Sequence, residues 1–143
     1  METIKQRSES EIDKHRNHPN PPPSACPNTY RIRPKSSGVF STTKVRPILE
    51  SVLSSHLNTY KYNANTSGDL CKRIADESKQ RIKQLGYSRY KLVTQCLIYS
   101  NNNQSVRFAS RYLWDEKLDN FVSVTTNGVD FTCTLMIAAV YFE

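Results

Sequence analysis

The last third of the chain, residues 90–142, reads as four β-strands with almost no break. A period of two residues is typical of β-strands, whereas an amphipathic helix repeats every 3.6 residues. A small sheet with only two helices before it has too little cover for both faces, so we expect it to pack against a partner. The pattern predicts four strands, over residues 90–100, 104–113, 120–126 and 131–142.

The four predicted strands differ in how apolar their two faces are. The fourth strand is apolar on both faces along its second half, which predicts that it lies at the centre of the sheet. The first strand, with Leu92 and Val93 on opposite faces, is also predicted to be a strand of the sheet interior. The second strand has one face for the core and one for water or a partner, because Val106, Phe108 and Tyr112 alternate with Arg107, Ala109 and Arg111.

Two amphipathic helices precede the strands. Apolar residues recur at helical spacing between residues 45 and 57, and Pro47 is tolerated only near the first turn, so the first helix should begin no earlier than about Thr42. The second helix should follow a cap at Thr66 or Ser67 and end at Gly86. The fold class is therefore α+β, with two N-terminal helices packed on a four-stranded antiparallel sheet.

Residues 1–28 mix charged residues with a proline run and show no repeating apolar face. Such a segment buries too little apolar surface to offset its ordering entropy. We therefore predict a flexible arm over residues 1–28 and a folded domain over residues 29–143.

The net charge of +7 raises the question of nucleic acid, but no run of basic residues accompanies it. The four cysteines are scattered and form no CxxC or Cys/His pair, and we expect no disulfides. No apolar stretch is long enough to span a bilayer. We expect a protein of a reducing, soluble compartment that binds neither membrane nor nucleic acid.

No set of catalytic groups can be assembled from the sequence. Two of the three histidines lie in the arm, and no HExxH, GxSxG or glycine-rich phosphate loop is present. Asp115, Glu116 and Asp119 surround a strand connection, where they should shape a turn rather than bind metal. We predict that the chain is not an enzyme and carries no metal or cofactor.

A binding function suits the predicted sheet better. The edge of a sheet presents unpaired N–H and C=O groups, and proteins use such edges to add a partner peptide as one more strand. The second predicted strand is half polar and lies between two long connections, so it could leave its own sheet and complete that of a neighbour.

Several short motifs are distinctive, namely Asn28-Thr29-Tyr30, Ile74-Ala75-Asp76-Glu77, Arg89-Tyr90-Lys91, Leu113-Trp114-Asp115 and Val140-Tyr141-Phe142-Glu143. They resemble motifs of the Tctex-type dynein light chain family, and the resemblance covers residues 28–143. The Arg-Tyr-Lys and Leu-Trp-Asp elements are the most specific. The Asn-Thr-Tyr lead-in and the Ile-Ala-Asp-Glu segment are most similar to the axonemal branch of the family.

The resemblance implies a strand-exchanged dimer in which residues 104–113 cross to the partner subunit. It also implies that a segment of a dynein intermediate chain docks as an added strand beside the exchanged one. The exchange residues would be Val106, Phe108, Ser110, Tyr112 and Trp114, and the partner-peptide edge would be Arg107, Ala109 and Arg111.

Two functional hypotheses follow from this resemblance. The first is a non-catalytic light chain in an axonemal dynein of cilia or flagella, located in the cytoplasm and cytoskeleton and paired with itself or, as we favour, with another Tctex-type chain. The second is a cargo or signalling adaptor that uses the same sheet edge outside the motor. A nucleic-acid-binding module, driven by the positive charge, is the weakest alternative.

Overall fold

The computed structural model describes residues 32–34, 38–102, 106–107, 109 and 115–142. Two helices are followed by an antiparallel sheet, so the α+β class is confirmed. The elements in chain order are α1 (Thr42–Leu57), α2 (Ala64–Lys83), β1 (Tyr90–Ser100), β2 (Asn120–Asn127) and β3 (Phe131–Tyr141).

The helices begin and end where local chemistry allows. Helix α1 starts at Thr42 as predicted, and Pro47 lies just after its first turn. Helix α2 is capped by Asn63, whose Oδ1 accepts a hydrogen bond from the amide of Asn65, so the predicted cap at Thr66 or Ser67 is wrong. An asparagine with extended backbone is as good a cap as serine or threonine. Helix α2 ends at Lys83, shortly before Gly86, which takes a φ of 82° that glycine adopts without strain.

The sheet has the order β1-β3-β2 and is antiparallel throughout. Strand β3 lies at the centre, as its apolar pattern predicted. Within the described ranges the sheet has three strands rather than the predicted four. The predicted second strand, 104–113, falls largely outside those ranges, and its described members Val106, Arg107 and Ala109 are not in a strand.

Strand β1 lies at one side of the sheet, where β3 is its only neighbour among the described strands, so the prediction of an interior strand is wrong. The apolar residues on the two faces of β1 differ in their surroundings. Leu92 is buried under the helices, whereas Val93, on the opposite face, is 49% exposed. We call this second face, which points away from the helices, the outer face.

Both helices pack on the other face of the sheet, with α1 against β2 and α2 against β1. The side chains between the layers are fully buried, and burial of each large aliphatic side chain contributes about 1.5–3 kcal/mol. This core positions β2 and β3 and leaves their outer face to other contacts. Its largest members are Leu49, Leu53, Ile74, Ile82, Leu135 and Ile137.

A cluster of aromatic rings closes the end of the core where β1 begins. Phe40 lies 5.2 Å from Tyr87 and 6.0 Å from Tyr90, and Tyr90 lies 5.5 Å from Tyr141, measured between ring centroids. The Tyr90 hydroxyl also donates to the carbonyl of Leu118 at 2.9 Å. The cluster therefore fixes both the chain entering α1 and the connection that leads into β2.

Candidate partner-binding edge

Every second residue of strand β2 points its backbone N–H and C=O groups away from β3. The amide of Gly128 donates to the carbonyl of Phe131 at 2.8 Å and closes the β2–β3 hairpin. In an antiparallel pair, hydrogen-bonded and non-hydrogen-bonded positions alternate from such a closing pair. The N–H and C=O groups that point outward therefore belong to Phe121, Ser123, Thr125 and Asn127, and we call this row the β2 edge.

The side chains of Arg46 and Asn120 bond to backbone groups of the β2 edge. A guanidinium nitrogen of Arg46, in α1, donates to the carbonyl oxygen of Ser123 at 3.3 Å. The side-chain oxygen of Asn120 accepts from the amide of Phe121 at 2.9 Å. Within the described part of the chain, no residue bonds to the outward backbone groups of Thr125. The half of the edge nearest the hairpin is thus the part most open to an added strand.

The outer face beside this edge carries an apolar row. Register aligns Phe121, Ala138 and Val93 across the three strands. Ala138 is completely buried, while Phe121 is 48% and Val93 49% exposed. An apolar row of this kind, next to an edge able to add a strand, is typical of a protein–protein contact.

The structure does not assemble the predicted site residues into a site. Val106, Arg107 and Ala109 are exposed and lie outside any strand, and Val106 is 42% exposed. Their roles in strand exchange and peptide binding remain predictions. The other predicted members lie outside the described residues, namely Phe108, Ser110, Arg111, Tyr112 and Trp114.

The acidic connection before β2 shapes a turn, as the sequence indicated. The buried carboxylate of Asp119 accepts from the amide of Asp115 at 2.9 Å and from the amide of Tyr141 at 2.7 Å. The Asp115 carboxylate in turn accepts from the amide of Lys117 at 2.9 Å. Asp119 therefore links the start of β2 to the last residue of β3.

Three thiols, which the sequence separates widely, meet between α2 and the sheet. The sulfur atoms of Cys96 and Cys133 lie 3.8 Å apart, and the thiol of Cys71 lies close to Cys96 and to the backbone of Ile98. The hydrogen bond to Cys96, and then burial, raise the pKa of Cys71, and the bond to Cys133 raises the pKa of Cys96 to about 12. All three are free cysteines, and protonated thiols of this kind are poor nucleophiles.

The described ranges contain no group of three His, Cys, Asp or Glu side chains that could hold a metal ion. None of the described helices is long and apolar enough to cross a membrane.

A polar clamp joins the two helices. His56 Nε2 of α1 lies 2.6 Å from Glu77 Oε2 of α2, and Arg81 donates to Glu77 Oε1 at 2.6 Å. The hydrogen bond from His56 lowers the pKa of Glu77, partial burial opposes this shift, and the charge of Arg81 lowers the pKa further. The ionised form of Glu77 is therefore favoured by the fold.

We expect the Glu77→Gln variant to lose less stability than the wild type as the pH falls from about 5 to about 3. Because the folded pKa of Glu77 is lowered, its ionised form stabilises the fold above the unfolded pKa of about 4.3. That stabilisation is lost as the pH falls through the lower folded pKa. Urea unfolding at a series of pH values measures the difference.

The matched control for this prediction is Asp69→Asn. Its carboxylate is 80% exposed and lies 3.5 Å from Lys72, a distance typical of a weak surface ion pair. This variant should follow the wild-type pH dependence. Identical pH dependence of the wild type and Glu77→Gln would contradict a role for the clamp.

Comparison with known proteins identifies relatives for most of the chain. The model of the Tctex-1 family matches residues 39–140. The mouse dynein light chain Tctex-type protein 2B is 33% identical over 112 residues, covering 78% of this chain and 73% of the mouse protein. The Xenopus laevis dynein light chain Tctex-type 5-A is 34% identical over 116 residues, covering 81% and 64% of the two chains. The human Tctex-type protein 2 is 27% identical, and the match spans 58% of its length.

Proposed function

Because the chain belongs to the Tctex-1 family, we propose that it is a non-catalytic dynein light chain that dimerises and binds an extended segment of a dynein intermediate chain. The names of its relatives, which are dynein light chains of Tctex type, support the assignment to a dynein. The chain is proposed to act in an axonemal dynein of a cilium or flagellum, because its sequence motifs are most similar to the axonemal branch of the family.

The β2 edge is the observation that carries this proposal. Its outward amides and carbonyls point to where an added strand would pair with them, which supports binding by strand addition. The neighbouring apolar row of Phe121, Ala138 and Val93 provides a surface that a second subunit can cover. Neither feature requires a catalytic group or a cofactor.

The strand that adds to the β2 edge is proposed to be residues 104–113 of a partner light chain. In that arrangement Val106, Phe108 and Tyr112 would face the core of the partner. Arg107, Ala109 and Arg111 would lie on the opposite face of the exchanged strand, beside the intermediate-chain segment. Exchange of one element between similar subunits is a common route to a dimer, and a heterodimer with another Tctex-type chain is the favoured form.

The experiment measures mass and partner binding of the full chain. Sedimentation equilibrium of the chain, alone and mixed with a Tctex-type protein 2B, should give a dimer that binds an N-terminal intermediate-chain peptide. Phe108→Pro should abolish the dimer, because proline removes a ladder hydrogen bond and a buried ring together. A stable monomer that binds neither the Tctex-type chain nor the intermediate-chain peptide would refute the proposal. If the Phe108→Pro variant still forms a dimer, the exchanged strand is not residues 104–113.

An adaptor function outside a motor is the second candidate, because main-chain hydrogen bonds along the β2 edge can take peptides of many sequences. Affinity purification from ciliated cells distinguishes the two functions. Dynein intermediate chains among the co-purified proteins support the motor, and receptors or cargo proteins without dynein chains support the adaptor.

A further inference from the structure

Two successive outward-pointing residues of the β2 edge, Phe121 and Ser123, each have a backbone group that bonds to a side chain. Arg46 donates to the Ser123 carbonyl, and Asn120 accepts from the Phe121 amide. Both caps occupy the half of the edge far from the hairpin. An incoming strand that pairs along the whole edge needs both of these backbone groups for its own ladder.

The hydrogen bond from Arg46 to the Ser123 carbonyl can be broken at little cost. Arg46 is exposed, and its guanidinium forms no ion pair with another described residue. Its bond to Ser123 is a single one, at 3.3 Å, between groups 77 residues apart in the chain. Such a bond is weaker than the bidentate carboxylate pairs in which arginine is usually held. Rotation of the side chain into water would uncover the Ser123 carbonyl without disturbing the core.

Strand β1, at the other side of the sheet, has a different kind of contact at Ile98. The backbone of Ile98 lies against the thiol of Cys71, a half-buried residue of α2. That contact is part of the helix–sheet packing and cannot be withdrawn by a single exposed side chain. The contacts of Arg46 and Cys71 therefore differ, because Arg46 is an exposed charged side chain whereas Cys71 lies between α2 and the sheet.

We infer that Arg46 is a displaceable cap on the β2 edge, which competes with an incoming partner strand for the carbonyl of Ser123. This inference rests on the proposed function, since it concerns the strand that function requires. The incoming strand would pair first with Thr125 and Asn127, near the hairpin, and would then displace Arg46. The cap protects the edge of an unassembled chain from unspecific strand pairing, as charged side chains on edges commonly do.

The test compares Arg46→Ala with Lys44→Ala, a matched control that removes one exposed positive charge from the same turn of α1. Full-length chains are titrated with a fluorescent peptide of residues 104–113 and, separately, with unlabelled partner chain. Arg46→Ala should bind both about twofold to tenfold more tightly than wild type, because one solvent-exposed hydrogen bond no longer competes. Lys44→Ala should bind as the wild type does. Circular dichroism melting verifies that each variant is folded.

The possible results separate the cap from the function. Suppose that the wild-type chain binds the peptide or the partner chain, but Arg46→Ala binds it no more tightly than Lys44→Ala does. Arg46 is then not a competing cap, and the proposed function stands. If neither the wild type nor Arg46→Ala binds peptide or partner, both the cap and the proposed function are refuted. Tighter binding of Arg46→Ala alone supports the cap.

Discussion

Replacing Thr125 with proline is expected to weaken association with a partner strand by about tenfold to a hundredfold while the fold is retained. The amide of Thr125 points away from β3, so its loss removes no bond of the β2–β3 ladder. Proline is tolerated on a strand edge for this reason. A partner strand, however, would lose one donor and would meet the pyrrolidine ring where it needs to approach. Sedimentation equilibrium measures the change in the dissociation constant.

Two further variants make this prediction specific. Thr125→Ala keeps the amide and removes only the side chain, so its partner affinity should stay near that of the wild type. Val124→Pro removes an amide that points toward β3, so it should lower the free energy of unfolding instead. A Thr125→Pro chain that is folded and associates as the wild type does would exclude the β2 edge as the site of strand addition.

Replacing Asp119 with alanine should lower the free energy of unfolding by about 3–6 kcal/mol, because two hydrogen bonds to a charged group are lost and each contributes about 1.5–3 kcal/mol. Its carboxylate accepts from the amides of Asp115 and Tyr141, and the residue is only 8% exposed. Alanine would leave both amides, which are partly buried, without this acceptor. Chemical denaturation measures the loss.

The control for Asp119 is Glu116→Ala, in the same connection. Glu116 is exposed, and its removal should change the free energy of unfolding by less than about 0.5 kcal/mol. Asp119→Asn should fall between wild type and alanine, because the amide oxygen can still accept from one of the two partners. Equal stability of Asp119→Ala and Glu116→Ala would show that the two bonds do not hold the connection.

Features that arise from local repetition could be predicted well. The start of α1 follows from the apolar spacing and from Pro47, and the central position of β3 follows from its two apolar faces. The likeness to the Tctex-type family, recognised from short motifs, is confirmed by the family match over residues 39–140. In each case the deciding signal lies within a few residues of the feature or in a contiguous motif.

Features that depend on distant parts of the chain could not be predicted. Strand β1 is apolar on both faces, and this pattern does not reveal whether a strand lies beside it on each side. Its position at the side of the sheet was therefore missed. The bond between Arg46 and Ser123 joins residues 77 positions apart, and nothing near Arg46 in the sequence distinguishes it from Lys44. The three thiols likewise meet only because α2 packs on β1 and β1 pairs with β3.

The segment between β1 and β2 is fastened to the sheet at both of its ends. The side chain of Asn101 donates to the Phe131 carbonyl at 3.0 Å and accepts from the Thr132 hydroxyl at 2.7 Å, while Asp119 holds the other end. Residues 103–114 between these anchor points can span about 40 Å when fully extended. If residues 104–113 are exchanged as proposed, a force on that segment is carried to the sheet through the contacts of Asn101 and Asp119. These two contacts would then bear the load at the two ends of the connection.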